Sequence, residues 1–389
     1  MSSLTDIVGE ENVLESRIDL AVYASDASGR EGKARLIVLP TDAEQVRKIV
    51  RFASRTNANI TLRAGGSGLA GGATPNDSIV MDLSKMDKII EIDRKGKYAV
   101  VQPGVILDEL NRALEPGLCF PIRPSSHSVA TIGGMIATNA AGNNAIRFGR
   151  TLEWVEQLLV VDGTGKMFDV KGEMIKSFGG REGTTGIIVE ATLRLSDKLE
   201  TRSMEHLRFG NVDDMFEAVK KHRANPSVTS LEFFNRFCAK LAGVDDQNHL
   251  VIGFDSDDGA IKSQKEMDEL WKLREGMGPK SSGAGFTVME DPRLPDTGLA
   301  EFLKWVEARE LPCFGHIGLG IFHPRFRKGS ETIIKEMFEL VRKLGGSVSG
   351  EHGIGLAKKM YAERGIVEEV RLLKKEYDPE NILNRGKIV

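Results

Sequence analysis

The sequence predicts a mixed α+β chain, and three observations carry that prediction. From residue 34 to 200 short β-branched runs alternate with helical patterns. After about residue 200 the patterns lengthen into helices with fewer glycines, which marks a second domain. Glycine-rich blocks then return at 315–320 and 345–355, ahead of a short helix and the tail DPENILNRGKIV. At ~150 residues per domain, a chain of 389 makes two or three, and boundaries are expected near 199 and 345.

Taken in order, Arg35–Leu39 predicts a strand, and Pro40, Thr41 and Asp42 open a helix. Val46, Ile49, Val50 and Ala53 recur on that helix at helical spacing, and Thr41 with Glu44 has the spacing of a capping box. Asn59–Arg63 is a strand leading into the block AGGSGLAGG. Ser78–Asp82, Ile89–Asp93 and Tyr98–Gln102 predict further strands, and Val105–Leu114 a helix. Pro116, Pro121 and Pro124 then enforce an irregular stretch. Val155–Val161 and Lys166–Val170 flank Asp162-Gly163-Thr164-Gly165, a hairpin signal, and Gly186–Leu195 is a strand. Val212–His222 and Ile261–Glu275 are the clearest helices beyond it.

Composition narrows the function classes. The chain is 41% hydrophobic and 28% charged, an ordinary globular balance. Net charge is −3 with no Lys/Arg-rich block, so nucleic acid is not an expected partner. Apolar runs such as Leu158 to Val161 fall far short of the ~20 residues that cross a bilayer. The acidic start MSSLTDIVGEENVLESRIDL lacks the apolar stretch of a secretion signal, so a cytoplasmic location is expected, with peripheral membrane attachment left open. Cys119, Cys238 and Cys313 form no CxxC pair and predict buried thiols, so any iron–sulfur centre belongs to another chain.

Glycine is where the information concentrates: 42 of 389 residues, against an ordinary ~7%. Arg63-Ala64-Gly65-Gly66-Ser67-Gly68-Leu69-Ala70-Gly71-Gly72 follows a predicted strand, so successive N–H groups can line one concavity that suits a pyrophosphate. No Gly-Lys-Ser/Thr follows, which excludes a P-loop, and a plain loop is the alternative. The run PTDAEQVRKIVRFASRTNANITLRAGGSGLAGG resembles the start of the FAD-binding domain of the vanillyl-alcohol oxidase/p-cresol methylhydroxylase family. The likeness continues through Pro124-Ser125-Ser126, Thr131-Ile132-Gly133-Gly134, Asn139-Ala140-Ala141-Gly142 and Gly183-Thr184-Thr185-Gly186-Ile187-Ile188-Val189-Glu190. It implies a two-subdomain FAD-binding domain over 1–199, with Gly65, Gly66, Ser67, Gly68, Leu69 and Gly71 around the diphosphate. It further implies Pro124, Ser125, Gly133, Gly134, Thr138 and Asn139 beside the isoalloxazine and ribityl chain, and Gly183 and Ile188 near the adenine. Ser67 stands where covalently flavinylated relatives carry histidine, so the FAD is expected to be non-covalent. His127, the histidine nearby, is expected to be an ordinary hydrogen-bonded loop residue.

Three of the seven histidines fall in FGHIGLGIFHP (314–324) and SGEHGIG (349–355). On one straight strand His316 and His323 would face opposite ways, but Gly318 and Gly320 allow a bend that brings the imidazoles together. Two histidines and a carboxylate with open positions suit Zn²⁺, Mn²⁺ or Fe²⁺, and structural histidines are the plainer alternative. The pattern is similar to that of the FAD-linked 2-hydroxy-acid dehydrogenases, a family that includes D-lactate and D-2-hydroxyglutarate dehydrogenases and the flavin subunit of glycolate oxidase. By that resemblance His316, His323 and Glu351 are metal ligands, and His352 is the base beside the flavin. Arg274, in Leu270-Trp271-Lys272-Leu273-Arg274-Glu275, clamps the substrate carboxylate. Asn384 belongs to a closing motif that returns 346–389 to the FAD domain, and 200–345 forms an α+β cap over the substrate.

The expected activity is oxidation of a 2-hydroxy acid to the 2-oxo acid by hydride transfer to flavin N5, with metal and histidine assistance. Electrons would leave to a quinone or a separate iron–sulfur subunit, and a homodimer is an open option. The chain departs from the family at Gly318-Leu319-Gly320-Ile321, where an Asp and an Asn are missing, and at Gly278, Met289 and Arg325. An extra arginine forks onto a second carboxylate or a phosphate, so Arg325 suggests a dianionic substrate, against the alternative of a salt-bridged arginine. An alkyl transferase or alcohol oxidase on the same fold, and a non-catalytic FAD subunit of a larger oxidase, are the rival functions.

Overall fold

The structure is a computed structural model that describes residues 3–389. It divides into two compact units, one built from residues 3–140, Arg150–Lys198 and His352–Val389, the other from Ala141–Gly149 and Leu199–Glu351. The returning segment thus joins the first unit at His352, and the short excursion 141–149 belongs to the second.

In the first unit a four-stranded sheet has the order Val13–Leu14, Lys33–Val38, Asn76–Asp82, Ile60–Arg63. Both neighbours of Asn76–Asp82 run parallel to it, so the chain must cross over between Lys33–Val38 and Ile60–Arg63, and the helix Ala43–Thr56 does so. Val46, Ile49, Val50 and Ala53 form its buried stripe. The N-cap is Asp42 and the expected Thr41–Glu44 capping box does not form: the Asp42 carboxylate accepts the Gln45 N–H at 2.8 Å, and Thr41 N–H donates to Gln45 Oε1 at 2.8 Å. An aspartate is the better acceptor for a helix N-terminus, and its claim wins over Thr41. A second, antiparallel sheet runs Ile89–Asp93, Tyr98–Val101, Ile187–Arg194, Val155–Val161, Met167–Lys171. One apolar core joins the two sheets through Ile60, Ile79, Met81, Val161, Ile187 and Val189, and it includes Ile382 and Leu383 of the tail. Ile60 N–H donates to Ile382 O, and Asn384 N–H to Ile60 O, so the tail meets Ile60 in an isolated parallel bridge at Leu383.

In the second unit six strands make one antiparallel sheet in the order Ser203–Phe209, Asn248–Phe254, Val228–Phe234, Cys313–Gly315, His323–Phe326, Val288–Met289. Phe233 and Phe234 are consecutive and therefore point to opposite faces. Phe234 packs with Cys238, Met267, Leu270, Met277 and Phe314, the face covered by Arg236–Ala242, Gln264–Glu275 and Met277–Gly283. Phe233 meets Phe322 edge-on at 5.3 Å, and Phe302 of the helix Leu299–Glu307 joins them. Both central strands, VTSLEFF and NHLVIGF, are buried at every residue, which hides Glu232 and His249 inside the sheet. The excursion 141–149 carries the helix Ala145–Phe148, and Arg147 ties it to this unit by donating to Pro226 O.

His249 stacks on Phe234 at 4.3 Å, and its Nε2 donates to Asp245 at 2.7 Å. Its Nδ1 therefore accepts, and His206 Nε2 donates to it at 2.8 Å. Burial pushes His206 down to about 4 and takes His249 below its usual value despite Asp245, so both rings are neutral in the folded chain. Unfolded, each binds a proton near ~6.5, so the unfolded state takes up more protons in this window and stability falls as pH drops from about 6.5 towards 4. A His206→Asn variant is expected to show a shallower acid loss of its urea midpoint across that range than the parent chain.

Candidate functional site

Residues proposed for the metal cluster converge within the second unit. Cys313–Gly315 pairs with His323–Phe326 around the turn Ile317–Leu319 and Gly320. Gly320 has a φ of 71°, and a Cβ there would lie 2.3 Å from Leu294 O, so the turn requires glycine. The bend overcomes the odd spacing and brings the His316 and His323 rings to 5.4 Å, at 89° to each other. Glu351 Oε1 lies 3.3 Å from His316 Nε2 and 3.2 Å from His323 Nε2. Asp291 aims that glutamate: its Oδ2 accepts N–H bonds from Gly350 at 3.1 Å and Glu351 at 2.7 Å.

Glu232 stands behind this cluster. Its Oε1 accepts from His316 Nδ1 at 2.7 Å, its Oε2 from Arg274 Nη2 at 2.5 Å, and its side chain is 1% exposed. Arg274 also lies over Phe314, 4.9 Å from the ring centre. Burial pulls the His316 pKa down, but Glu232 and Glu351 outweigh it and lift the ring to about 10. Burial raises the Glu351 pKa, yet His316 and His323 together hold it well below the usual carboxylate range. Two imidazoles and one ionised carboxylate offer ligand atoms within 4.8 Å of one another, a donor set that fits a divalent cation. Arg274 Nε is buried without a protein acceptor among the described residues. Arg325 is committed elsewhere: Nη2 donates to Ser282 Oγ at 2.5 Å, and Nε and Nη2 to Phe286 O at 3.1 and 2.9 Å. The buried Cys238 thiol lies within electrostatic reach of both arginines. Sequence reasoning missed Glu232, although a lone acid in an apolar strand run is itself the signal of a buried, partnered charge.

Residues proposed for the FAD lie in the first unit. Arg63 ends its strand, and no N–H from Gly65 to Gly72 has a protein acceptor among the described residues. Gly66 and Gly71 have φ values of 60° and 77°. A half-buried run of unpaired N–H groups fits a diphosphate, whose oxygens accept. Gly133 packs so closely that a Cβ would lie 2.5 Å from Pro103 Cβ. Its helix, Ile132–Thr138, starts at the Thr131 cap and ends at Asn139 with a φ of 50°; Thr138 Oγ1 donates to Gly134 O, and Asn139 Oδ1 accepts from Leu152 N–H. Pro124 O accepts the His127 N–H, Ser125 is exposed, and Leu69 is half-buried. His127 itself pairs with Asp108 at 2.7 Å and Arg123 at 2.9 Å, a satisfied loop histidine. A Cβ on Gly183 would lie 2.5 Å from Leu62 Cδ1, and Ile188 is buried in the strand Ile187–Arg194.

The returning tail underpins the same loop. Asn384 Oδ1 accepts from Leu62 N–H at 3.0 Å, and its Nδ2 donates to Glu182 O at 2.5 Å. Lys387 Nζ donates to Gly72 O at 2.6 Å and to Asn384 Oδ1 at 3.0 Å; burial takes its pKa down to about 7. Ala70 O accepts from Leu356 and Ala357, and Ile354 N–H donates to Glu182 at 2.6 Å. His352, half-buried, opens this segment directly after Glu351.

Gly65 and Gly68 separate stability from binding. A Cβ on Gly65 would lie 2.2 Å from Val129 O, whereas one on Gly68 meets nothing within 4 Å. Gly65→Ala is expected to destabilise the protein by ~1–3 kcal/mol in thermal melts. Gly68→Ala is expected to leave the melt of the flavin-free protein unchanged and weaken FAD binding at least about tenfold by fluorescence titration.

Comparison with known proteins shows the family and the fold. A model of the FAD binding domain matches residues 34–171, and a model of the C-terminal domain of FAD linked oxidases matches 198–388. The chain is 32% identical to a D-lactate dehydrogenase of Archaeoglobus fulgidus, covering 91% of each chain. It is 29% identical to a D-2-hydroxyglutarate dehydrogenase of Stutzerimonas stutzeri, covering 100% of this chain and 98% of the other. The solved structure of p-cresol methylhydroxylase superposes with a TM-score of 0.75 at 15% identity, over 99% of this chain and 95% of that one, which shows the shared fold. Among the described residues no helix is long and apolar enough to cross a membrane. With both halves matched in order over nearly its whole length, the chain belongs to the FAD-linked oxidases, as a flavin-dependent oxidoreductase of the 2-hydroxy-acid dehydrogenase family.

Proposed function

We propose that this protein oxidises a small 2-hydroxy acid to the 2-oxo acid, with a divalent cation held by His316, His323 and Glu351. The observation that carries the proposal is the convergence of those three ligand atoms, with Arg274 held on the same Glu232 carboxylate as His316. When bound, FAD supplies a hydride acceptor and the cation lowers the pKa of the substrate hydroxyl. Arg274 binds the substrate carboxylate through the donors that Glu232 leaves free. The neutral imidazole of His352 takes the hydroxyl proton, a task suited to a group with an unperturbed pKa near ~6.5. Electrons leave to a separate acceptor, a quinone or an iron–sulfur subunit. Arg325 uses Nε and Nη2 within the fold, so a second substrate anion is met by Nη1 alone.

An anaerobic titration of the FAD- and metal-loaded protein with D- and L-2-hydroxy acids, dicarboxylic and phosphorylated ones included, tests this. One class of compound is expected to bleach the flavin band, and preference for a dicarboxylate over lactate would bring Arg325 into the site. His352→Ala is expected to keep its FAD and to be reduced ~10²–10⁴-fold more slowly. Normal bleaching in that variant would remove His352 from the chemistry. A flavin that nothing in the panel reduces would transfer the chain to the alkyl-transfer or non-catalytic readings.

A further inference from the structure

Glu232 is buried at 1% exposure in the middle of a fully buried strand, and nothing in the proposed proton or hydride transfer uses it. An ionised carboxylate in such a place costs several kcal/mol unless both oxygens find partners. Its partners are one residue from each half of the proposed chemistry: His316 Nδ1 at 2.7 Å on Oε1 and Arg274 Nη2 at 2.5 Å on Oε2. We propose that Glu232 is a positioning residue that sets metal affinity and substrate-carboxylate binding together. This rests on the metal and arginine roles given above.

The reasoning is stereochemical. A carboxylate can only accept, so Oε1 holds the His316 proton on Nδ1 and leaves Nε2, the atom 3.3 Å from Glu351, as the lone pair for a cation. Oε2 fixes one edge of the Arg274 guanidinium, while Phe314 lies against its face at 4.9 Å. The strand pleat explains why one residue reaches both. Glu232 and Phe234 share a face, the face that Gln264–Glu275 covers with Arg274, and the neighbouring strand Cys313–Gly315 leads directly into His316.

Glu232→Gln separates the two contacts. A glutamine has one acceptor oxygen and one amide donor, so it cannot accept from both His316 and Arg274. Turned with its oxygen to Arg274, it donates to His316 Nδ1 and moves the ring proton to Nε2, where a cation needs the lone pair. Turned the other way, it sets amide hydrogens against Arg274. Zn²⁺ affinity, measured by competition with a chromogenic chelator in the flavin-loaded protein, is expected to fall 10–100-fold. KM for the hydroxy acid is expected to rise more than kcat falls, and FAD content to stay at the parent value. Because Glu232→Gln leaves the Arg274 charge buried and unpaired, Arg274→Met and Glu232→Gln/Arg274→Met provide a comparison from which that cation is absent on both sides. The double variant is expected to bind Zn²⁺ at least tenfold more weakly than Arg274→Met alone. Equal Zn²⁺ affinity in those two, with His316→Ala still abolishing binding, would overturn the role of Glu232 and leave the metal site standing. A parent protein that binds no Zn²⁺ would overturn the metal reading and the proposal with it.

Discussion

Placing a carboxyl group out of reach of water is costly unless it finds partners, and four such groups determine where the late segments of this chain lie. Glu232 is matched by His316 and Arg274, and Asp291 by the N–H groups of Gly350 and Glu351. Glu182 takes the N–H groups of Ile354 and Gly355, and Asp378 those of Ile382 and Leu383 together with the Lys374 ammonium. Two of the four act in each unit, and three hold a stretch of backbone rather than a side chain. Glycine at 350, 353 and 355 serves this pattern. A Cβ at Gly353 would lie 2.7 Å from the Glu182 carboxylate, and one at Gly355 2.1 Å from Ala70 O.

The same economy explains the site. His316 and His323 approach one another because a glycine turn folds their strand back, and Glu351 reaches them because Asp291 holds its amide. None of these three side chains is placed by its own local conformation. The neighbouring cationic group is likewise oriented from behind, by a carboxylate on another strand.

Much of this was legible in the sequence. β-branched runs located the longer strands of the first unit to within a residue or two, and in Tyr98–Val101 the period-2 burial survives, but the two-residue strands Val13–Leu14, Leu118–Cys119 and Ser196–Asp197 carry too short a pattern to be seen. The bend between His316 and His323 was legible because glycine has few other reasons to recur there. The structure brings Arg274 and His316 onto the Glu232 carboxylate and His316 and His323 onto that of Glu351, and leaves Arg325 on Ser282 and Phe286. Side-chain direction of that kind depends on which strand lies next to which, and periodicity does not encode it. Glu232 was missed because fully buried strands lose their alternation, and periodicity alone does not separate one buried acid in VTSLEFF from a surface position. The excursion 141–149 was hidden because nine residues carry too short a pattern to reveal which core they join.

The bridge at residues 382–384 has a consequence for how the chain folds. Ile382 and Leu383 complete a core whose other members include Leu4, Val38 and Ile60, so the first unit is closed by contacts spanning almost the whole sequence. Loop closure over that separation is slow and entropically costly. The second unit, nearly continuous from Leu199 to Glu351, carries no such debt. The inserted unit can therefore reach its native state while the first stays open, its core unfinished until Ile382 and Leu383 are in place.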